Sequence, residues 1–151
     1  MLMPNLVIAS ANAGKIAEFQ KLLFDFPLRT ISQPKELDVN ETGNTFLENA
    51  RLKAIAAGIA SGEKALGDDS GLCVDALGGA PGIHSARYAI NDSKRISRLL
   101  KELEPFDNRN ASFYCSLCLA SPEGDVLFEV EGQCNGVIAV APRGNNGFGY
   151  D

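Results

Sequence analysis

The sequence is short of histidine, of positive charge, of disulfide-like cysteine spacing and of long apolar runs, and each shortage removes a class of function. No stretch approaches the ~20 apolar residues that a membrane-spanning helix requires. The N-terminal MLMPNLVIAS has neither a basic region nor an apolar run of signal-peptide length, so no membrane partner is expected. The four cysteines, Cys73, Cys115, Cys118 and Cys134, show no disulfide-framework spacing, and reduced thiols in a cytoplasmic setting are the default expectation. On that basis the Asn-x-Ser/Thr matches at Asn40, Asn91 and Asn110 read as chance. Cys115-x-x-Cys118 is a single pair without histidines at zinc spacing, which points to two core thiols. His84 is the one histidine, so any Ser-His-Asp or Cys-His system would have to run through it, and no nucleophile elbow accompanies it. With 14 Lys and Arg against 19 Asp and Glu the formal charge is -5, the wrong sign for a general nucleic-acid binder. An acidic balance does not exclude a phosphorylated small molecule, because a few lysines and a metal ion can outweigh the global field inside a cleft.

What remains is an ordinary α/β composition. The chain has 151 residues, 45% hydrophobic and 22% charged, enough for one domain burying about 68–70% of its unfolded surface. Short apolar runs alternate with amphipathic segments. Leu6 to Ala9 reads as a buried strand entering a helix with Ile16, Phe19, Leu22 and Leu23 on one face. A strand near Leu28 to Ile31 follows, then a polar stretch from Gln33 to Asn44. Thr45-x-x-Glu48 reads as a capping box opening a helix with a stripe of Leu47, Ala50, Ala54 and Ala57, closed by Gly62. Strand is predicted for Leu72 to Leu77, a loop for Gly78 to Gly82, and a helix over Asp92 to Leu103 carrying Ile96, Leu99, Leu100 and Leu103. Ala111 to Ala120, Val126 to Val130 and Gly136 to Val140 read as antiparallel strands, with a turn over Pro122 to Asp125.

Several segments carry chemistry, each with a plainer reading beside it. Ser10-Ala11-Asn12-Ala13-Gly14-Lys15 places helix N-terminal amides beside a lysine, a ready anion site. It is not a Walker A loop, since Ala9 and Ile16 stand where that motif needs Gly and Ser or Thr. Taken alone it is equally a capped helix start with a surface lysine. Glu41, Asp68 and Asp69 are hard oxygen donors of the kind Mg²⁺ prefers. Two adjacent aspartates converge only if their strand ends there, which Ser70-Gly71 suggests; a solvated acidic turn is the alternative. Lys53 adjoins the apolar stripe of its helix and is either a point charge for phosphate or a snorkelling surface residue. Phe148, set between Gly147 and Gly149, is either a stacking platform for a base or a core residue of an inward-folded loop.

The order of these signals is more specific than any one of them. Ser10-x-Asn12-x-x-Lys15; Glu41-Thr-Gly43-x-Thr45-Phe46-x-Glu48-Asn49-Ala50-x-x-Lys53-Ala54; Asp68-Asp69-Ser70-Gly71-Leu72-x-Val74-Asp75-Ala76-Leu77; Gly79-x-Pro81-Gly82-x-x-Ser85-Ala86-Arg87-Tyr88; and Gly147-Phe-Gly-Tyr-Asp151 occur in that sequence. Across nearly the whole chain this resembles the inosine triphosphate, or non-canonical purine nucleoside-triphosphate, pyrophosphatase family.

The resemblance implies hydrolysis of ITP, dITP and XTP to monophosphate and pyrophosphate with Mg²⁺, usually by a homodimer. The implied fold is a long curved mixed sheet flanked by helices, in two lobes with a central cleft. By position, Ser10 to Lys15 would hold the triphosphate with Lys53. Glu41 and Asp69 would bind the metal with Asp68 near them, and Asp69 would accept the proton of the attacking water. Ser70 would touch substrate, and Phe148 would stack on the base beside Gly149, Tyr150 and Asp151. The family pattern continues past Asp151 into a lysine and a Ser-His-Arg motif on the base side. The resemblance therefore implies a missing C-terminal segment and a weak or inactive 151-residue chain. A Maf-like nucleotide pyrophosphatase shares a Ser-x-Asn-x-x-Lys-type loop, but the blocks Asp68 to Leu77 and Ser85 to Tyr88 favour the first family. A non-catalytic nucleotide-binding remnant is the rival from another class; the set Glu41, Lys53 and Asp69 argues against it.

Overall fold

The computed structural model describes residues 2–151. The strands are β1 (Asn5–Ala9), β2 (Arg29–Ser32), β3 (Lys64–Val74), β4 (Asn110–Ala120) and β5 (Val126–Val137). The helices are α1 (Ala13–Leu22), α2 (Phe46–Ser61) and α3 (Asp92–Leu103), with short 3₁₀ turns at Asp75–Leu77 and Gly82–Arg87. One sheet has the order β2-β1-β3-β4-β5. β1 runs parallel to both β2 and β3, with Val7 opposite Ile31 and Ala65. The stretch 121–125 between neighbours β4 and β5 is too short for a parallel crossover, so that pair is antiparallel and the sheet is mixed.

Contacts divide the chain into two compact units: Met1–Asp69 with Ser116–Glu131, and Ser70–Cys115 with Gly132–Asp151. In the first unit, small residues bring α2 close to the sheet. Ala57 packs with Val7, Ala9 and Ala65, while Ala50 and Ala54 pack with Cys118 and Ala120. The closest approach is at Gly67 of β3, where a Cβ would lie 2.3 Å from Ala50 O and 2.6 Å from Ala54 N. Half of the capping box forms: Thr45 Oγ1 accepts from Glu48 N at 3.1 Å, while the Glu48 carboxylate accepts from Asn44 N, one residue before the N-cap. Gly62 ends α2 in the left-handed conformation, φ +69. The core of the second unit is Leu72, Val74, Leu99, Leu103 and Ala111. Asn91 caps α3 through Lys94 N at 2.9 Å, which gives that asparagine a structural role.

Four details differ from the reading of the sequence. β3 is continuous from Lys64 to Val74, so no strand ends at Asp69, and Asp75–Leu77 is a 3₁₀ turn and not strand. β5 runs unbroken to Val137, and residues 138–140 lie outside it. The apolar side of α1 buries no residue, and Leu22 is 70% exposed, because periodicity marks a helix face without saying how deeply it is covered. Leu47 of the predicted stripe is only half-buried, while the polar Asn49 is 3% exposed.

Candidate active site

The first unit assembles the charged candidates. β1 delivers Ser10, which is buried and accepts from Asn12 N at 3.0 Å. Asn12 caps α1, its Oδ1 accepting from Gly14 N at 2.9 Å and Lys15 N at 3.2 Å. Three amides of the Ser10–Lys15 segment are thus turned onto Ser10 and Asn12, which holds its shape before any ligand arrives. Ala11, Asn12 and Ala13 are exposed, and the positive end of α1 lies beside Lys15.

Each lysine faces a carboxylate. Lys15 Nζ lies 2.8 Å from Asp68 Oδ2, and Lys53 Nζ lies 2.9 Å from Glu41 Oε1. Asp68 and Asp69 do not converge at a strand end as expected. As neighbours in a continuous strand they meet different partners: Asp68 meets Lys15, while Asp69 Oδ2 accepts from Asn49 Nδ2 at 3.1 Å. Both aspartates are buried.

Burial pushes the Asp69 carboxyl above the ordinary carboxylate range. The charge of Lys53 and the Asn49 hydrogen bond oppose that shift, Glu41 adds to it and Lys15 opposes it. Asp69 therefore feels both lysines and Glu41, so these groups form one electrostatic cluster. A desolvated carboxylate with specific charged partners suits proton transfer.

Mg²⁺ is the ion whose preferences bear on this donor set. Among the described residues, no three His, Cys, Asp or Glu side chains are grouped to hold a metal on their own. Mg²⁺ needs less, taking one or two carboxylates and completing its shell with water and phosphate oxygens. Glu41 and Asp69 supply hard oxygens of that kind, and a carboxylate offers about four lone-pair sites. The residues fit the ion.

The second unit holds the glycine-flanked loop. Asp151 Oδ2 accepts from Phe148 N at 3.1 Å and Asp92 Oδ2 accepts from Gly149 N at 3.0 Å, so two carboxylates shape the turn. Tyr150 packs against the core of this unit and its hydroxyl donates to Ser85 O at 2.7 Å. Burial raises its phenol to about 12. That makes Tyr150 an anchor of the loop. Phe148 is half-buried and lines a cavity of ≈ 510 Å³ together with Leu72, Ile96, Leu100 and Phe113, a volume in the range of small-molecule pockets. Ser70, half-buried, begins this unit on β3. The thiols of Cys73 and Cys118 are pushed up by burial, which suits core residues and not nucleophiles.

Asn49 and Gly67 escaped the reading of the sequence as site residues. Asn49 carried a signal, a polar residue on the face of α2 that buries Ala50, Ala54 and Ala57. Gly67 carried none, since its role is a distance between α2 and β3.

The sequence model of the Ham1 family matches residues 6–151. A protein of Prochlorococcus marinus (strain NATL1A) named dITP/XTP pyrophosphatase is 60% identical over 146 residues, covering 97% of this chain and 74% of that protein. A solved HAM1 protein from Coxiella burnetii superposes with a TM-score of 0.87 at 44% identity, covering 99% of this chain and 80% of that one. The Staphylococcus aureus Ham1 protein gives 0.82 at 42%, covering 97% and 78%.

Proposed function

From the premise that the chain belongs to the Ham1 family, we propose that it hydrolyses non-canonical purine nucleoside triphosphates (ITP, dITP and XTP) to the monophosphate and pyrophosphate. The names of its relatives and the motif order support that substrate class. The observation that carries the chemistry is buried Asp69, set among Asn49, Lys53, Glu41 and Lys15 with its pKa raised.

Cleaving the α–β phosphoanhydride needs positioning and charge stabilisation more than covalent help. Lys15 and Lys53, now paired with Asp68 and Glu41, are the cations for the phosphate oxygens. The helix start at Ser10–Lys15 adds its positive end. Asp69 takes the proton of the attacking water, and its desolvation favours that transfer. Glu41 and Asp69, with Asp68 beside them, would hold Mg²⁺, which supplies charge neutralisation and a bound water of lowered pKa. Phe148, Gly149 and the ordered loop around them are the candidates for the base, with Ser70 a further substrate contact. The same reading includes a homodimer.

The test is product analysis after incubation with Mg²⁺ and, separately, ITP, dITP, XTP, ATP and CTP. Monophosphate and pyrophosphate are expected from the first three, with ATP and CTP nearly untouched. Asp69→Asn should lower turnover by about 10²–10⁴-fold, the usual contribution of a positioned base. Nucleotide binding without pyrophosphate release, by this chain and equally by one extended past Asp151, would sink the hydrolase reading in favour of a binding module.

A further inference from the structure

We propose that Asn49 is a positioning residue for the reaction assigned above: one buried amide that ties the Glu41–Gly43 loop to Asp69 and so sets the separation of the two metal-facing carboxylates. The inference rests on the proposed pyrophosphatase activity, and it adds a role for a side chain that touches neither substrate nor, on this geometry, the metal.

Asn49 lies in the first turn of α2 and is 3% exposed. Its Oδ1 accepts from Gly43 N at 2.8 Å and its Nδ2 donates to Asp69 Oδ2 at 3.1 Å. Those two partners fix the amide's orientation, because a backbone N–H must face oxygen and a carboxylate must face the NH₂ group. One short, rigid side chain therefore joins three elements: the loop before α2, α2 itself and β3.

Gly43 is what lets the loop come this close. A Cβ there would sit 2.7 Å from Asn49 Oδ1 and 2.7 Å from Glu48 Cβ. A methyl group would displace the loop or open the bond. Glu41 lies two residues upstream in the same loop, tied across it by Lys53, and the chain between them turns through Thr42 N to Asn40 O at 3.0 Å. Moving Gly43 moves Glu41, and the fixed point it moves against is Asp69.

A purely structural asparagine would use its buried polar ends for satisfaction alone. The distinction lies at the Asp69 end. Asn49→Asp keeps an acceptor for Gly43 N but replaces the donor to Asp69 with a repelling carboxylate. Asn49→Leu removes both bonds while keeping a branched side chain, though a larger one. Gly43→Ala leaves Asn49 intact and strains the same link from the other side.

The experiment has two arms on the whole chain. Mn²⁺, as a probe for Mg²⁺, is titrated without nucleotide and followed by electron paramagnetic resonance. Pyrophosphate release from ITP is measured at saturating Mg²⁺, with kcat separated from KM and the melting temperature recorded. Partners one shell removed from a metal typically change affinity or activity by ~10–100-fold. Asn49→Leu and Gly43→Ala should each weaken Mn²⁺ binding and lower kcat by about that factor, with KM changed less than ~3-fold, and Asn49→Asp should be worse than Asn49→Leu. Folded variants with unchanged Mn²⁺ affinity and unchanged kcat overturn the clamp while leaving the hydrolase reading intact. If the unmutated chain releases no pyrophosphate yet the variants lose Mn²⁺, the clamp stands and the reading of the reaction fails. Should Asn49→Leu not fold, Gly43→Ala and Asn49→Asp decide by the same two readouts.

Discussion

Gly67→Ala tests the geometry of the candidate site without touching any of its charged groups. An alanine Cβ at position 67 would stand 2.3 Å from Ala50 O, 2.6 Å from Ala54 N and 2.9 Å from Ala54 Cβ. Two of those three atoms are backbone, so no rotamer change relieves the contact. Restoring an ordinary separation requires α2 and β3 to move apart by about 1 Å. Overpacking of this kind costs roughly 1–3 kcal/mol. At about 2–4 °C per kcal/mol for a chain of this size, Tm should fall by ~2–12 °C. The functional effect should be larger, because Ala50 directly follows Asn49 and Ala54 directly follows Lys53, while Asp68 and Asp69 follow Gly67. The displacement therefore separates the lysine and amide of α2 from the carboxylates of β3, and an error of ~1 Å in a reacting constellation costs on the order of 10²-fold in rate. The control is Gly62→Ala, where the backbone is left-handed at φ +69 and nothing lies within 4 Å. That change costs about 1–2 kcal/mol in backbone strain and should leave kcat alone below the melting range. Thermal melts of both variants, with pyrophosphate release at 25 °C, separate the effects. An unshifted Tm and unchanged kcat in Gly67→Ala, or equal loss of kcat in both variants, would refute the close-approach argument.

Two smaller predictions follow from single contacts. Because burial lifts the Tyr150 phenol to about 12 from ~10 in the unfolded chain, its neutral form contributes stability that is complete below pH ~10 and lost as pH rises through about 12. Urea midpoints from pH 8 to 12 should show a decline in that window, shallower in Tyr150→Phe, which at pH 8 should also lose about 1 kcal/mol with the bond to Ser85 O; equal slopes would contradict the assignment. Thr45→Ala removes the acceptor for Glu48 N and should cost about 1 kcal/mol, or ~2–4 °C in Tm. Lys53 lies two turns further along α2, so kcat at 25 °C should hold, and a large loss of rate would show that the cap also positions the site.

The local signals in the sequence agree with the structure wherever one short stretch decides its own conformation. α3 spans the predicted Asp92 to Leu103, and Thr45, Glu48 and Gly62 bound α2 as capping chemistry requires. The five motif blocks carried the family and, through it, the cluster of Glu41, Lys53, Asp68 and Asp69 that the first unit brings together. The depth of burial was not legible in the same way. The apolar spacing of α1 matched that of a core helix, yet none of its residues is fully buried, because coverage depends on what packs above a face.

The sequence alone therefore determined which charged and polar residues the chain presents, and in which order. Tertiary structure decided how they meet. Asp68 and Asp69 were predicted to converge at a strand end, but β3 continues through them and gives one to Lys15 and the other to Asn49. Asn49 and Gly67 became part of the site through contacts with residues 20 positions away in the first case and through the α2 backbone in the second. Helix periods, caps and turns are local in the chain and can be read there. The approach of one element to another is set by the atoms missing between them, and a glycine's absent side chain has meaning only once its neighbour is in place.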